Sequence, residues 1–243
     1  MGVFDVFKRQ SPIERAIKDL REPFAQPEVR RAAMGKLLEI ASDEAYYGLL
    51  VRFTFNANGH IADESEKRDL MQELVKVGRP AVDPLKRFIE KEKAIGFPIR
   101  AYAQIVEREE ALEFLGAALK KMEPLDHRTT EQKKALILAI ADLGKPEQAA
   151  LVVPYLKDHN DDVQAQAVET IERLKNPETY AALIEVCTSD AHAARIQRRA
   201  AQVLETLEIP LKAEFERFQA ELKGEYLLSK KGTLAKKSKP AEA

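Results

Sequence analysis

The chain contains no tryptophan, one cysteine, few aromatic residues (7%) and no surplus of either charge. Each shortage excludes something. Without tryptophan, and with little Phe or Tyr, an aromatic ligand cage is excluded and layers of Leu, Ile, Val and Ala are expected. Cys187 has no partner for an intrachain disulfide, which fits a reducing cytoplasm. Within the run AALIEVC it reads as a small buried hydrophobe. Lys and Arg number 39 against 40 Asp and Glu, so the basic excess of a dedicated nucleic-acid binder is missing. No run of about 18 apolar residues exists to cross a membrane. The first residues lack the basic segment and apolar core of a secretory signal. What is present is 45% hydrophobic and 33% charged over 243 residues, enough for one large soluble domain or two small ones.

The chain repeats itself. VQAQAVETIERL from Val163 and IQRRAAQVLETL from Ile196 share one template 33 residues apart in numbering: Val163 with Ile196, Ala167 with Ala200, Ile171 with Leu204, Leu174 with Leu207. VRRAAMGKLLEI carries it at Val29, Ala33, Leu37 and Ile40, and looser copies run through Leu70, Leu74 and Val77, and through Leu136, Ile140 and Leu143. The spacing i, i+4, i+8, i+11 lies on one helical face, and the small Ala lets a neighbouring helix approach. A second helix class alternates with the first, as in EALEFLGAALKKME, EQAALVVPYLKDHN and PETYAALIEVCTSD. Helix starts agree: Ser11-Pro12-Ile13-Glu14 is a capping box with Pro in the first turn, Asn176-Pro177 is another start, and Thr129 with Gln132 forms a second box. The expected fold is all-α, a solenoid of about six stacked antiparallel hairpins across residues 11–208, with an extra C-terminal helix.

EVRRAAMGKL, PAVDPLKRFIE, DDVQAQAVETI and IQRRAAQVL resemble the HEAT-repeat superfamily, and within it the shorter bacterial repeats of phycobilin lyases. Met1 to Asp5, Arg52 to Asn56 and Ile61 to Lys67 are similar to a group of uncharacterised bacterial HEAT-repeat proteins. The resemblance implies a protein-binding scaffold. It implies that the second helix of each hairpin lines a concave face and often carries Arg after its first apolar residue. Arg30 and Arg100 keep that Arg, while Gln164 and Gln197 replace it.

One stretch breaks the rhythm. RFTFNANGHIADESEKRD, from Arg52 to Asp69, starts like a strand, turns polar around Gly59 and then becomes helical. With Gly59 at position six, the outline of a calcium loop would place Thr54, Asn56, Asn58 and Ser65 at the ligand positions, and none is charged. The expectation is a connector with positive φ at Gly59, the rings of Phe53 and Phe55 beneath it, and Asp63 with Glu66 as the capping box of the next helix. Its exposed part, Asn56, Asn58 and His60, is a candidate contact edge.

Chemistry finds little support. His60, His127, His159 and His192 have no second ligand at metal spacing, and no nucleophile elbow or Gly-rich phosphate loop occurs. Asp158-His159-Asn160-Asp161-Asp162 reads as a solvated turn. No enzyme activity, cofactor or metal is expected. The chain ends carry further expectations. Residues 1–10, with Phe4 and Phe7 on one side, form a cap or an anchor; residues 209–228 form a capping helix; residues 229–243, rich in Lys, form a disordered tail. Arg195, Arg198 and Arg199 make a basic stripe that could dock an acidic peptide. The reading is a cytoplasmic, non-enzymatic scaffold for another protein, without specific nucleic-acid binding and with weak membrane-surface contact at most through its termini. The alternatives are an accessory lyase, isomerase or chaperone for a pigment-bearing protein, which rests on repeat analogy, and a membrane-peripheral module.

Overall fold

The computed structural model describes residues 10–211, 213–222 and 224–237. Phe4 and Phe7, and most of the expected N-terminal cap, lie outside the described residues. The chain forms two compact units, one ending at Ala111 and one beginning at Leu112.

In the first unit the hairpins are α1 (Pro12–Arg21) with α2 (Pro27–Ile40), α3 (Asp43–Leu50) with α4 (His60–Val77), and α5 (Val82–Lys91) with α6 (Gly96–Ile105). Helix α3 packs against both α1 and α5, and α4 packs against α6. Ser11 starts α1 as expected: its Oγ accepts from Glu14 N at 3.1 Å, and Glu14 Oε2 accepts from Ser11 N at 2.7 Å. Ser42 caps α3.

Helix α7 (Arg108–Lys120) leads into the second unit, followed by α8 (Thr130–Leu143), α9 (Asp161–Leu174), α10 (Tyr180–Cys187) and α11 (Ala194–Thr206). Between α8 and α9, two 3-10 segments, Pro146–Leu151 and Val153–Lys157, stand where a helix was expected. Pro146 and Pro154 sit at their starts, where a missing N–H costs least. Helix α9 packs against α8 on one side and α11 on the other, and α10 packs against α11. Asn160 caps α9 by accepting from Asp162 N at 2.9 Å. The Thr129–Gln132 box does not form; Thr129 makes no capping bond to the backbone of α8.

The repeat template describes the core of the second unit well. Val163, Ala167, Ile171, Ile196, Ala200 and Leu204 are all essentially inaccessible to solvent. It fails at the ends of α2: Val29 is 45% exposed and Ile40 39% exposed, while Arg30 is buried. Ala33 and Leu37 keep the template buried in between, and Arg30 takes the inward place beside Val29, where it meets Glu66.

The C-terminus departs from expectation. A helix across 209–228 is replaced by the short α12 (Phe215–Glu221) and by β1 (Tyr226–Leu228). The expected disordered tail is structured as far as Lys237: β2 (Leu234–Lys236) runs antiparallel to β1, with Tyr226 opposite Lys236 and Leu228 opposite Leu234. Gly232 at φ 82° closes the turn, and Ser229 N donates to Thr233 O at 2.8 Å. Buried Leu211, Phe218, Leu222, Tyr226 and Leu234 form a small core, and β2 packs against α11. Leu234 is a single apolar residue amid lysines, too little to register as a period but enough to anchor a strand.

Candidate functional site

Two buried ionic clusters and the surfaces beside them are the most constructed parts of the molecule. The first explains the interruption. Helix α3 runs into a 3-10 turn, Val51–Thr54, rather than a strand. Gly59 takes φ 84° as expected, but α4 begins at His60, one turn before Asp63. Asp63 and Glu66 therefore do not cap the helix. They point inward and are buried, together with Arg30, Arg52 and Lys67.

Arg52, with no solvent exposure, lies at the centre. Its Nε donates to Glu66 Oε1, its Nη2 to Asp63 Oδ1 at 2.5 Å, and its Nη1 to the Phe55 carbonyl at 3.2 Å. Arg30 reaches both oxygens of Glu66 at 2.9 and 3.1 Å and donates to the Ala25 carbonyl at 2.6 Å. Lys67 Nζ bridges Asp63 Oδ2 and Asn56 Oδ1, both at 2.7 Å, and Ala57 N donates to Asp63 Oδ1 at 2.8 Å. Burial alone would raise the Asp63 pKa; the hydrogen bonds from Lys67, Ala57 and Arg52 outweigh it and hold the carboxyl down at about 2. Burial likewise opposes ionisation of Glu66, and Arg30 and Arg52 override it to lower its pKa. Each donor is matched to an acceptor, the condition under which a buried ion pair is tolerated. The cluster ties α2, the end of α3, the connector and α4 into one piece. Phe53 stacks on Phe97 beneath it, 5.5 Å between centroids.

This arrangement sorts the expected contact residues. Asn56 is held by Lys67. Asn58 is exposed on the connector and His60 is exposed at the first position of α4, beside Ile61 at 86% exposure. Next to the cluster, α2 and α4 leave a groove of about 210 Å³. Met34, Gly35 and Leu38 with Arg31 line one wall, and Leu70 with Glu66, Asp69 and Glu73 the other. A Cβ built on Gly35 meets nothing within 4 Å.

The second cluster lies in the turn before α9, which is not a solvated turn at its centre: Asp158 is 1% exposed and Lys133 has no exposure. Lys133 Nζ donates to Asp158 Oδ2 and to the carbonyls of Glu123, Pro124 and Asp126 at 3.3, 2.9 and 3.1 Å. Gln164 stands at the position where the HEAT pattern often has Arg, and its Nε2 donates to the Asp158 carbonyl at 2.6 Å. Gln197 does the same for the Ser189 carbonyl at 3.0 Å. Neutral amides thus fasten the preceding turns without bringing further charge into the core.

The basic stripe is engaged within the unit. Arg195 bridges Asp161 and Asp162 at 3.0 Å each, Arg199 meets Glu172 at 2.6 Å, and Arg198 meets Glu225 at 3.1 Å. These exposed pairs run from α11 to α9 and to the residue before β1. Cys187 is fully buried and burial pushes its thiol pKa up, so it is unreactive in the folded chain. Among the described residues no group of three His, Cys, Asp or Glu could hold a metal ion, and no helix is long and apolar enough to cross a membrane.

A family model for HEAT repeats matches residues 112–205. The match falls within the second unit and covers its stacked pairs from α7 into α11. HEAT repeats generally mediate protein–protein interaction, and their fold is typically non-enzymatic. The all-α, HEAT-like fold expected from the sequence is thereby supported from both pattern and packing. No curated protein matches the chain.

The sequence reading missed the buried charges. Arg52, Lys67, Lys133 and Asp158 were unremarkable in a chain that is one-third charged. One signal was available: Arg30 follows Val29, the first template residue, at the position where the HEAT pattern often carries Arg, and it is buried.

Proposed function

We propose that the chain is a protein-binding scaffold with no chemistry of its own, and that the groove between α2 and α4 receives an apolar side chain of a partner polypeptide. The observation that carries this reading is the groove itself. Met34, Leu38 and Leu70 form an apolar floor, and Gly35 keeps it open where any larger residue would fill it. The ionic cluster behind it holds both walls in place, so a partner would meet a surface that is already organised. Asn58 on the connector, with His60 and Ile61 at the start of α4, offers a second contact edge. The HEAT-repeat match supports the scaffold reading, and the Arg195, Arg198 and Arg199 side chains are engaged within the unit.

The test is a plug. Gly35→Trp places an indole in the groove without a clash at Cβ, and it removes a glycine from a helix interior, so the fold is expected to hold. Partners cross-linked through a photoreactive residue at Leu38 in the intact chain should be lost in the Gly35→Trp chain while the thermal melt stays the same or rises. Unchanged cross-linking would sink the groove as the contact site.

A further inference from the structure

A polar cleft of about 440 Å³ lies in the second unit, between the turn at Asp158–Asn160 and the loop at Ser189–Ala193. Two histidines line it, and the chain fixes the tautomer of each. His159 Nδ1 faces two acceptors, Asp158 Oδ1 at 3.0 Å and the Pro124 carbonyl at 3.4 Å, so Nδ1 carries the proton. The His192 tautomer is set through Gln164. Its amide nitrogen donates to the Asp158 carbonyl, so its Oε1 is an acceptor, and His192 Nδ1 at 3.0 Å must be the donor. In its neutral form each ring therefore presents a bare Nε2 lone pair. Neither Nε2 has a hydrogen-bond partner among the described residues, although His192 is only 8% exposed. Buried Lys133, by holding Asp158, stands behind both imidazoles.

The rest of the lining is also rich in acceptors. Glu185 and Asp161 add carboxylates, each engaged on one oxygen, Glu185 by Lys157 at 2.8 Å and Asp161 by Arg195 at 3.0 Å, so the acceptors left to a ligand are their second oxygens and the two imidazoles. Acceptors carried on three separate segments call for several donors in a fixed fork, which a guanidinium has and an ammonium lacks. An apolar slot of about 190 Å³, walled by Val153, Pro154 and Val186, adjoins the cleft and shares Lys157, Glu185 and His192 with it. Two neighbouring recesses of opposite character suit a chain that presents two unlike side chains.

We propose that the second unit carries a receptor for an arginine side chain of a partner polypeptide, with the guanidinium in the cleft and an adjacent apolar side chain in the slot. The proposal rests on the scaffold reading and adds the chemistry of the partner. The experiment is an NMR titration of the full chain, observing the imidazole nitrogens. The probes are acetyl-Ala-Leu-Arg-Ala-amide, the same peptide with Glu for Arg, agmatine and zinc chloride. Before titration both histidines should show the Nδ1–H tautomer. The Arg peptide should then shift both Nε2 signals. Glu185→Gln, at an exposed position, should weaken that binding about tenfold, the scale of one charge-assisted hydrogen bond, with an unchanged melt. The Glu peptide should not bind, and agmatine should bind about tenfold more weakly for want of the slot contact. The receptor is overturned by an Nε2–H tautomer, by no response to the Arg peptide, by equal binding of the Glu peptide, by agmatine binding as tightly as the peptide, or by a response to zinc alone. It is also overturned if Glu185→Gln has no effect. Such a failure leaves the groove between α2 and α4 standing, since Gly35→Trp tests that surface in the other unit.

Discussion

Single residues in this chain matter most where charge is buried. Lys133 and Asp158 form a pair with no solvent contact on the lysine, and removing one partner strands the other. Lys133→Met should cost about 3–5 kcal/mol, because it takes the ammonium away from the buried Asp158 Oδ2 and from three carbonyls. The double change Lys133→Met with Asp158→Leu should recover part of that loss, measured by urea unfolding. A single variant as stable as the parent would mean that water or another donor takes the place of the ammonium. The opposite kind of residue is Ala41, which closes α2 in the left-handed region at φ 51°. An L-residue is strained there and glycine is not, so Ala41→Gly should raise stability by about 0.5–1 kcal/mol.

At the scale of elements, the interruption from Val51 to Gly59 is a keyed connector rather than a slack one. Its position was legible in the sequence, as were the positive φ of Gly59, the alternation of two helix classes and the Ser11 cap. The internal bonding was not, because Asp63 and Glu66 at that spacing satisfy a capping box and an inward-facing acidic pair equally well. Only the arrival of Arg30 from α2, 36 residues from Glu66, and the inward turn of Arg52 in the 3-10 segment after α3 decide between them, and neither is written in the local spacing. The C-terminal hairpin was hidden for a similar reason: a strand anchored by Leu234 needs α11 beneath it. The keyed connector has a pH signature. Asp63 titrates at about 2 in the folded chain against an ordinary 3.8, so its folded pKa is depressed. Its contribution is complete above about pH 4 and is lost as the pH falls toward 2, amounting to about 2 kcal/mol. Asp63→Asn should therefore flatten the acid limb of stability between pH 4 and 2. An unchanged acid limb would show that Asp63 is not held by Lys67, Ala57 and Arg52.

For the whole molecule, the apolar periodicity was enough to assign an all-α stack because it records burial, a property shared by every repeat. It could not assign a surface, since grooves and clefts arise where neighbouring repeats fail to meet closely, and that depends on side chains from different hairpins. The same contrast makes Cys187 a reporter. It lies on the inner face of α10 against α11, with Sγ 3.5 Å from the Gln197 carbonyl, and burial raises its thiol pKa. A thiol-specific reagent should leave the native chain unlabelled and should react only as the second unit opens. Across a urea series, labelling of Cys187 should rise in the same transition that removes the helical signal of that unit, and Lys133→Met should move the transition to lower urea. Rapid labelling at zero denaturant, in a chain with its full helical signal, would place α10 outside the core to which its residues Leu183, Val186 and Cys187 belong. The two ionic clusters can be separated in the same way. Gly35→Trp and Asp63→Asn alter residues of the first unit, whereas Cys187 reports on the second. An acid-limb change caused by Asp63→Asn without faster Cys187 labelling would locate that variant's effect in the unit that holds the keyed connector.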